Sequence, residues 1–429
     1  MDTYTKHARA FLPLAILTGL LSVGLTTSVH AQLSAIANPP GEKQCATSDI
    51  NDNDTAVGNC SPQNVYGPSE GFADNGDLVS PLQPLVVGQD CSAGGVADNG
   101  TIIGECVDLN NKSFGVTWNA ANPLAAPVLL QPLPGLLNLD PDVTTASTGY
   151  NQSGFVVGES ISGTGNATPV VWNPSVSGGS PMMLATQGSN CEAADISDTA
   201  LNGEPDAVLN CPLNPTSANP GPMVAEISIY QPGLLGLLGS YVATALPIPS
   251  GATHCTADGI NKFNQIVGTC HFPAPDLPQT AYWASPTSAP TLLTVPIGGN
   301  NARNAGAFIN NAIPAAIVFH YQTNAGVTNP GFWIPSTNTV TLIPPLPGGL
   351  HAIAVCLGDN NTVVINSDIA SEYGQAVVWT PTGGDLDEGD LNGGDNSAAT
   401  SCNEQGTALS AVAEGGNLNA NASEDLTIP

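Results

Sequence analysis

The stretch Cys255-Thr256-Ala257-Asp258-Gly259-Ile260-Asn261-Lys262-Phe263-Asn264-Gln265-Ile266-Val267-Gly268-Thr269-Cys270 decides the fold. Ile260-Asn261 precedes a polar turn, and the β-branched pair Ile266-Val267 with Gly268 follows it. Asn and Gly tolerate the positive φ that tight hairpin turns demand. Two consecutive apolar residues mark a strand buried on both faces. The stretch reads as a β-hairpin. If its strands pair symmetrically about the turn, the first and last residues stand opposite each other, close enough for a disulfide.

The unit recurs along the chain. CATSDINDNDTAVGNC (45–60) and CSAGGVADNGTIIGEC (91–106) keep the cysteine spacing. TASTGYNQSGFVVGES (145–160) has lost both cysteines, and Cys191 to Cys211 encloses a longer loop. Weaker copies start near 304, 352 and 397. Four hairpin bridges are expected: Cys45–Cys60, Cys91–Cys106, Cys191–Cys211 and Cys255–Cys270. Cys356 and Cys402 remain and would pair between successive repeats. No Cys-x-x-Cys spacing suggests a zinc site, and full pairing leaves no thiol nucleophile.

Working outward, an aromatic residue ends a short apolar strand about a dozen residues after each hairpin. It is Trp118, Trp172, Trp283, Trp333 and Trp379, all five tryptophans of the chain, with Phe72 and Tyr230 in the first and fourth repeats. One aromatic per repeat at one position reads as a packing anchor rather than as a stacking platform. A last apolar strand follows, as in Val128-Leu129-Leu130 and Val340-Thr341-Leu342-Ile343. Four strands in roughly 45 to 65 residues is the rhythm of a propeller blade. The expected fold is therefore all-β: a β-propeller of about eight four-stranded blades with hairpin disulfides, seven blades being the runner-up and an open solenoid third. One domain, 32–429, holds repeats starting near 45, 91, 145, 191, 255, 304, 352 and 397. The eighth lacks an outer strand, and residues 32–43 would supply it and close the ring.

The N-terminus reads as a signal peptide over 1–31. Lys6 and Arg9 precede the apolar run from Phe11 to Leu25, and Val29-His30-Ala31 fits a cleavage site after Ala31. The chain is expected to be secreted or periplasmic, with no membrane span after cleavage, and ten cysteines fit an oxidising compartment. Cleavage removes two of the six basic residues and one of the thirty-five acidic ones, leaving four against thirty-four. Such a balance disfavours nucleic acid and anionic membranes as partners, and leaves a protein or a glycan.

The unit resembles the HAF repeat of extracellular bacterial proteins. Ala257-Asp258-Gly259-Ile260-Asn261, Ile266-Val267-Gly268, Ala281-Tyr282-Trp283 and Ile297-Gly298-Gly299 follow its pattern, while the His-Ala-Phe that names it is absent and the cysteines are an addition. The resemblance implies a secreted, propeller-like protein and carries over no catalytic residue.

Candidate sites are few. The four histidines after the signal, His254, His271, His320 and His351, all fall at open ends of hairpins. His254 and His271 should face each other beside Cys255–Cys270, as a pair able to ligate Zn²⁺ or Cu²⁺. Asp385, Asp387 and Asp390 lie in the densest carboxylate run and are candidate Ca²⁺ ligands; Asp49 to Asp54 alternates oxygen-bearing residues in the same way. Glu105 and Glu159 recur at one repeat position, which argues for a structural role. His-Glu-x-x-His and phosphate-binding Gly-Lys-Ser/Thr motifs are missing. The expectation is a non-enzymatic binding or surface-interaction module. The alternative is a carbohydrate-active hydrolase or lyase using an acidic pair at the central channel.

Overall fold

The structure is a computed structural model, and it describes residues 33–39, 42–62, 68–76, 78–135, 141–177, 179–198, 204–213, 221–233, 239–273, 278–294, 303–323, 325–369, 374–387, 396–414 and 420–425. The signal-peptide segment and Asp390 lie outside them. The described strands form four-stranded antiparallel sheets, eight in all. Seven are built from consecutive strands: blades 1 (42–81), 2 (91–129), 3 (144–183), 4 (192–245), 5 (254–292), 6 (303–342) and 7 (352–387). Blade 8 takes three strands from 397–425 and its outermost from Ser34–Ala35, which pairs with Glu424 and Ser423. The N-terminal strand thus closes the ring, as its sequence suggested.

Each β-branched pair explains how a blade is held. Successive side chains of a strand point to opposite faces. Ile102 accordingly packs between blades 1 and 2, and Ile103 between blades 2 and 3. Val156 and Val157 divide in the same way between blades 2/3 and 3/4, and Ile266 and Val267 between blades 4/5 and 5/6. The described core falls into eight apolar clusters, one at every interface around the circle. Leu33 joins the cluster between blades 7 and 8, and Ile36 the one between blades 8 and 1.

All five bridges form as paired in the sequence, four within hairpins and Cys356–Cys402 between blades 7 and 8. The tryptophans are buried packing anchors. The indole N–H groups of Trp118, Trp172 and Trp283 donate to the carbonyls of Gln83, Gln131 and Pro247, each on the segment that leaves the preceding blade. Two aromatics depart from the expected register. Trp118, Trp172 and Trp283 pair with the first residue of the β-branched pair, whereas Phe72 pairs with Gly58, two residues earlier along the sheet. In blade 4 Ser228 takes the tryptophan position and Tyr230 stands two residues later, against Tyr241. A shift of two preserves the face, so the ring still reaches an interface.

Candidate functional site

The hairpins are less symmetric than their sequences suggest. Every inner strand carries one extra residue at the same place, as at Thr47/Asp49, Ala193/Asp195 and Ala257/Gly259. Such a bulge re-aims side chains, and here it turns a column of them toward the central channel. Beyond it, an Asn caps the turn: the Asn51, Asn151 and Asn261 carboxamide oxygens each accept N–H groups from two and four residues on. Their Nδ2 groups donate to the next blade's carbonyls at Ala97, Ser197 and Asn310. The positive φ falls three residues after this position, at Asp54, Gly154 and Asn264. The Asn of the Ile-Asn pair is therefore a cap and a blade-to-blade tie.

The residue after that position forms a ring at the channel mouth: Asp52, Asp98, Gln152, Asp198, Lys262, Asn311, Asp359 and Glu404. Most neighbours in it are linked by hydrogen bonds. Asp52 N–H donates to Asp98 Oδ1 (2.9 Å), Asp98 N–H to Gln152 Oε1 (3.1 Å) and Gln152 N–H to Asp198 Oδ1 (3.3 Å). Lys262 N–H donates to Asn311 Oδ1 (2.8 Å) and Asn311 N–H to Asp359 Oδ1 (2.6 Å). Asp359 N–H reaches the Glu404 carbonyl (2.7 Å), and Gln405 N–H returns to Asp52 Oδ1 (3.0 Å). Asn311 Nδ2 also donates to Asp198 and Glu404 across the mouth. Asp52, Asp98 and Glu404 bring one carboxylate oxygen each within 4.8 Å of one another. That donor set suits a hard cation.

Beneath this ring the channel holds a cavity of about 370 Å³ lined by inner-strand residues of blades 3 to 8. Asp195, Asp198, Asp258, Asp359 and Glu404 face it. Asp195 Oδ2 accepts the Ile260 N–H (2.8 Å) across the seam between blades 4 and 5, so its carboxyl lies against the bulge that carries Asp258. Asp258 Oδ2 accepts the Thr269 hydroxyl (3.1 Å). Burial removes water from both groups and pushes each up to about 7. Glu404 is pushed up to about 8, by burial first and then by the charges of Asp198 and Asp359. Three carboxyls of one cavity thus exchange protons near neutrality, as general acids and bases must. Tyr150, which also lines the cavity, belongs to a tripod: Asp49 accepts from the hydroxyls of Tyr150 and Ser401 and from the Val96 N–H, joining blades 1, 2, 3 and 8. Burial raises the Asp49 carboxyl, and burial with the Asp49 charge raises the Tyr150 phenol.

The residues singled out in the sequence lie elsewhere. Asp385 and Asp387 sit on the outer strand Gly384–Asp387 of blade 7, opposite Trp379 and Val377. Asp49 turns inward to Tyr150 instead of joining Asp52 at the mouth. Glu105 and Glu159 occupy the second-strand position at which Asn59, Asn210 and Asn366 clamp the next blade through paired hydrogen bonds. His320 uses the same position to accept the Ala354 N–H through Nε2, and His351 Nδ1 accepts the Thr328 N–H. His254 and His271 do face each other beside Cys255–Cys270. The channel acids were missed because each repeat contributes one or two of them. For Asp198, Asp359 and Glu404 the signal was a column, the residue after Asn51, Asn151, Asn261 and their equivalents, read down the repeats.

Among known proteins, no family model and no curated protein matches the chain. Solved structures do. The propeller domain of the Trilobed protease from Pyrococcus furiosus, described as having an open velcro topology, matches over 82% of this chain and 97% of its own at 10% identity and TM-score 0.50. A puromycin-hydrolysing peptidase of Mycobacterium tuberculosis matches over 84% of this chain and 56% of its own, at 12% identity and TM-score 0.52. Prolyl oligopeptidase B of Galerina marginata matches over 87% and 55%, at 9% identity and TM-score 0.53. The chain spans about half the length of these two peptidases. These neighbours correct one expectation. Each is a hydrolase or a domain of one, so the non-enzymatic module gives way to the alternative, a hydrolase scaffold. At such identities the likeness is one of fold alone: the chain is a β-propeller.

Proposed function

We propose that the protein is a secreted or periplasmic hydrolase of neutral glycans whose acid–base groups are Asp195 and Asp258, with Glu404 across the cavity. The observation that carries this reading is the convergence of three carboxyls with pKa values near neutrality on one channel cavity. Glycoside hydrolysis needs one carboxyl protonated and another ionised on the two sides of the scissile bond. Asp195 and Asp258 are half-protonated near pH 7 and can give a proton to a leaving oxygen. Asp198 or Asp359, at the rim of the same cavity, supplies the second carboxylate. The net charge of −29 repels uronate polymers, the usual substrates of eliminating lyases, and so favours a hydrolase acting on uncharged sugars. Five disulfides and the HAF-like repeat support the exported setting.

The test is release of the leaving group from a panel of neutral aryl glycosides and oligosaccharides by the oxidised chain from Gln32 onward. Asp195→Asn and Asp258→Asn should each lower the rate about 10²-fold or more, the range of a lost general acid. Equal rates in wild type and both variants would sink the assignment.

A further inference from the structure

Far from the channel mouth, at the open end of the blade 5 hairpin, His254 and His271 stand directly opposite each other. The Cys255–Cys270 bridge joins the next pair in the ladder and fixes the strand separation beside them. Their rings lie parallel, 4° apart in plane, with centroids at 4.5 Å. Both are half-buried.

Thr253 decides which nitrogen is free. Its hydroxyl lies 3.0 Å from the His271 carbonyl and 2.9 Å from His254 Nδ1. A hydroxyl has one proton to donate, and a carbonyl can only accept. The proton therefore goes to the His271 carbonyl, and Thr253 Oγ1 accepts from Nδ1–H of His254. That fixes the His254 tautomer with a bare Nε2, as outer partners of metal-bound histidines do. The His271 ring makes no hydrogen bond among the described residues; it only stacks.

We propose that His254 and His271 form a two-nitrogen site for a borderline transition-metal ion, Cu²⁺ in preference to Zn²⁺, with water completing the shell. Bonds of about 2.0–2.1 Å require the two nitrogens about 3 Å apart with both ring planes passing near the ion, so the stacked rings must turn about their side-chain bonds until their lone pairs converge. Copper outranks zinc at such a site by the general order of divalent affinities. About six residues of strand, roughly 20 Å, separate this pair from the turn at the channel mouth, so the site is independent of the proposed hydrolysis.

The experiment is a Cu²⁺ titration of the oxidised chain by calorimetry and electron paramagnetic resonance. One equivalent should bind with nitrogen couplings in the spectrum. His254→Asn and His271→Asn should each abolish those couplings and weaken that equivalent at least tenfold. Thr253→Ala should weaken it about tenfold, the usual cost of losing an outer partner, whereas Thr253→Ser should retain it. In the unaltered chain, Cu²⁺ should shield both histidines from diethyl pyrocarbonate. A wild-type spectrum without nitrogen couplings, nitrogen-bound copper persisting in both histidine variants, or absence of shielding would each overturn the proposal.

Discussion

Single side chains carry much of this ring, and Tyr150 shows how. Its phenol crosses from blade 3 to Asp49 of blade 1 because Gly95 of blade 2 has no side chain in the way; a Cβ there would collide with the ring. Tyr150→Phe removes a donor from a buried carboxylate and should cost about 1–3 kcal/mol by chemical denaturation. Gly95→Ala should cost at least as much, since the ring must move. The channel acids set a second expectation. Asp195, Asp258 and Glu404 bind protons more tightly folded than unfolded, with values near 7, 7 and 8 against 3.8, 3.8 and 4.5. Folding therefore takes up protons between about pH 4 and pH 8, and the stability these groups give is full below about pH 4 and lost as pH rises past 8. The melting temperature should be lower at pH 8 than at pH 5.5, and Asp195→Asn should flatten that dependence. None of this was legible from one repeat. Asp258 and Asp195 look like ordinary turn-flanking polar residues until the bulge turns them inward.

At the level of the hairpin the sequence was far more transparent. Cysteines fifteen residues apart, a β-branched pair and an Asn-bearing turn sufficed for the strands, their partners and the bridges, because pairing about a turn is local. The bulge escaped, since the spacing of the cysteines does not distinguish an extra residue in the strand from one in the turn. The aromatic register of blades 1 and 4 escaped because a shift of two keeps the buried face, so composition gives no warning. Each bridge closes a loop that the unfolded chain would otherwise explore. Replacing Cys45 and Cys60 together by Ser should lower stability by about 3 kcal/mol in the chain-entropy estimate, read as a shifted denaturation midpoint with the other four bridges confirmed intact. The Trp172 anchor, fully buried and tied to Gln131, should cost about 3–5 kcal/mol when cut to Ala.

For the whole molecule, the count of repeats and the orphan strand at the N-terminus were enough to foresee closure, since a ring with seven complete blades and one three-stranded blade leaves one vacancy and one spare strand. Deleting residues 32–39 should therefore strip Leu33 and Ile36 from two interfaces at once, lower the melting temperature sharply and expose a sheet edge that promotes association, visible by light scattering. The same joint orders events in time. A chain made from its N-terminus presents residues 34–35 first and their partners at 420–425 last. Domains of ribosome-bound chains can form as they emerge, but this circle cannot, because its first strand must wait for its final one. Blades 1 to 7 can gather while the chain is still being extended, yet the clasp shuts only after synthesis has reached the last strand. Until then the molecule is an open arc, which makes the interval before clasping, rather than the folded ring, the stage most exposed to proteases and to mispairing with a neighbouring copy.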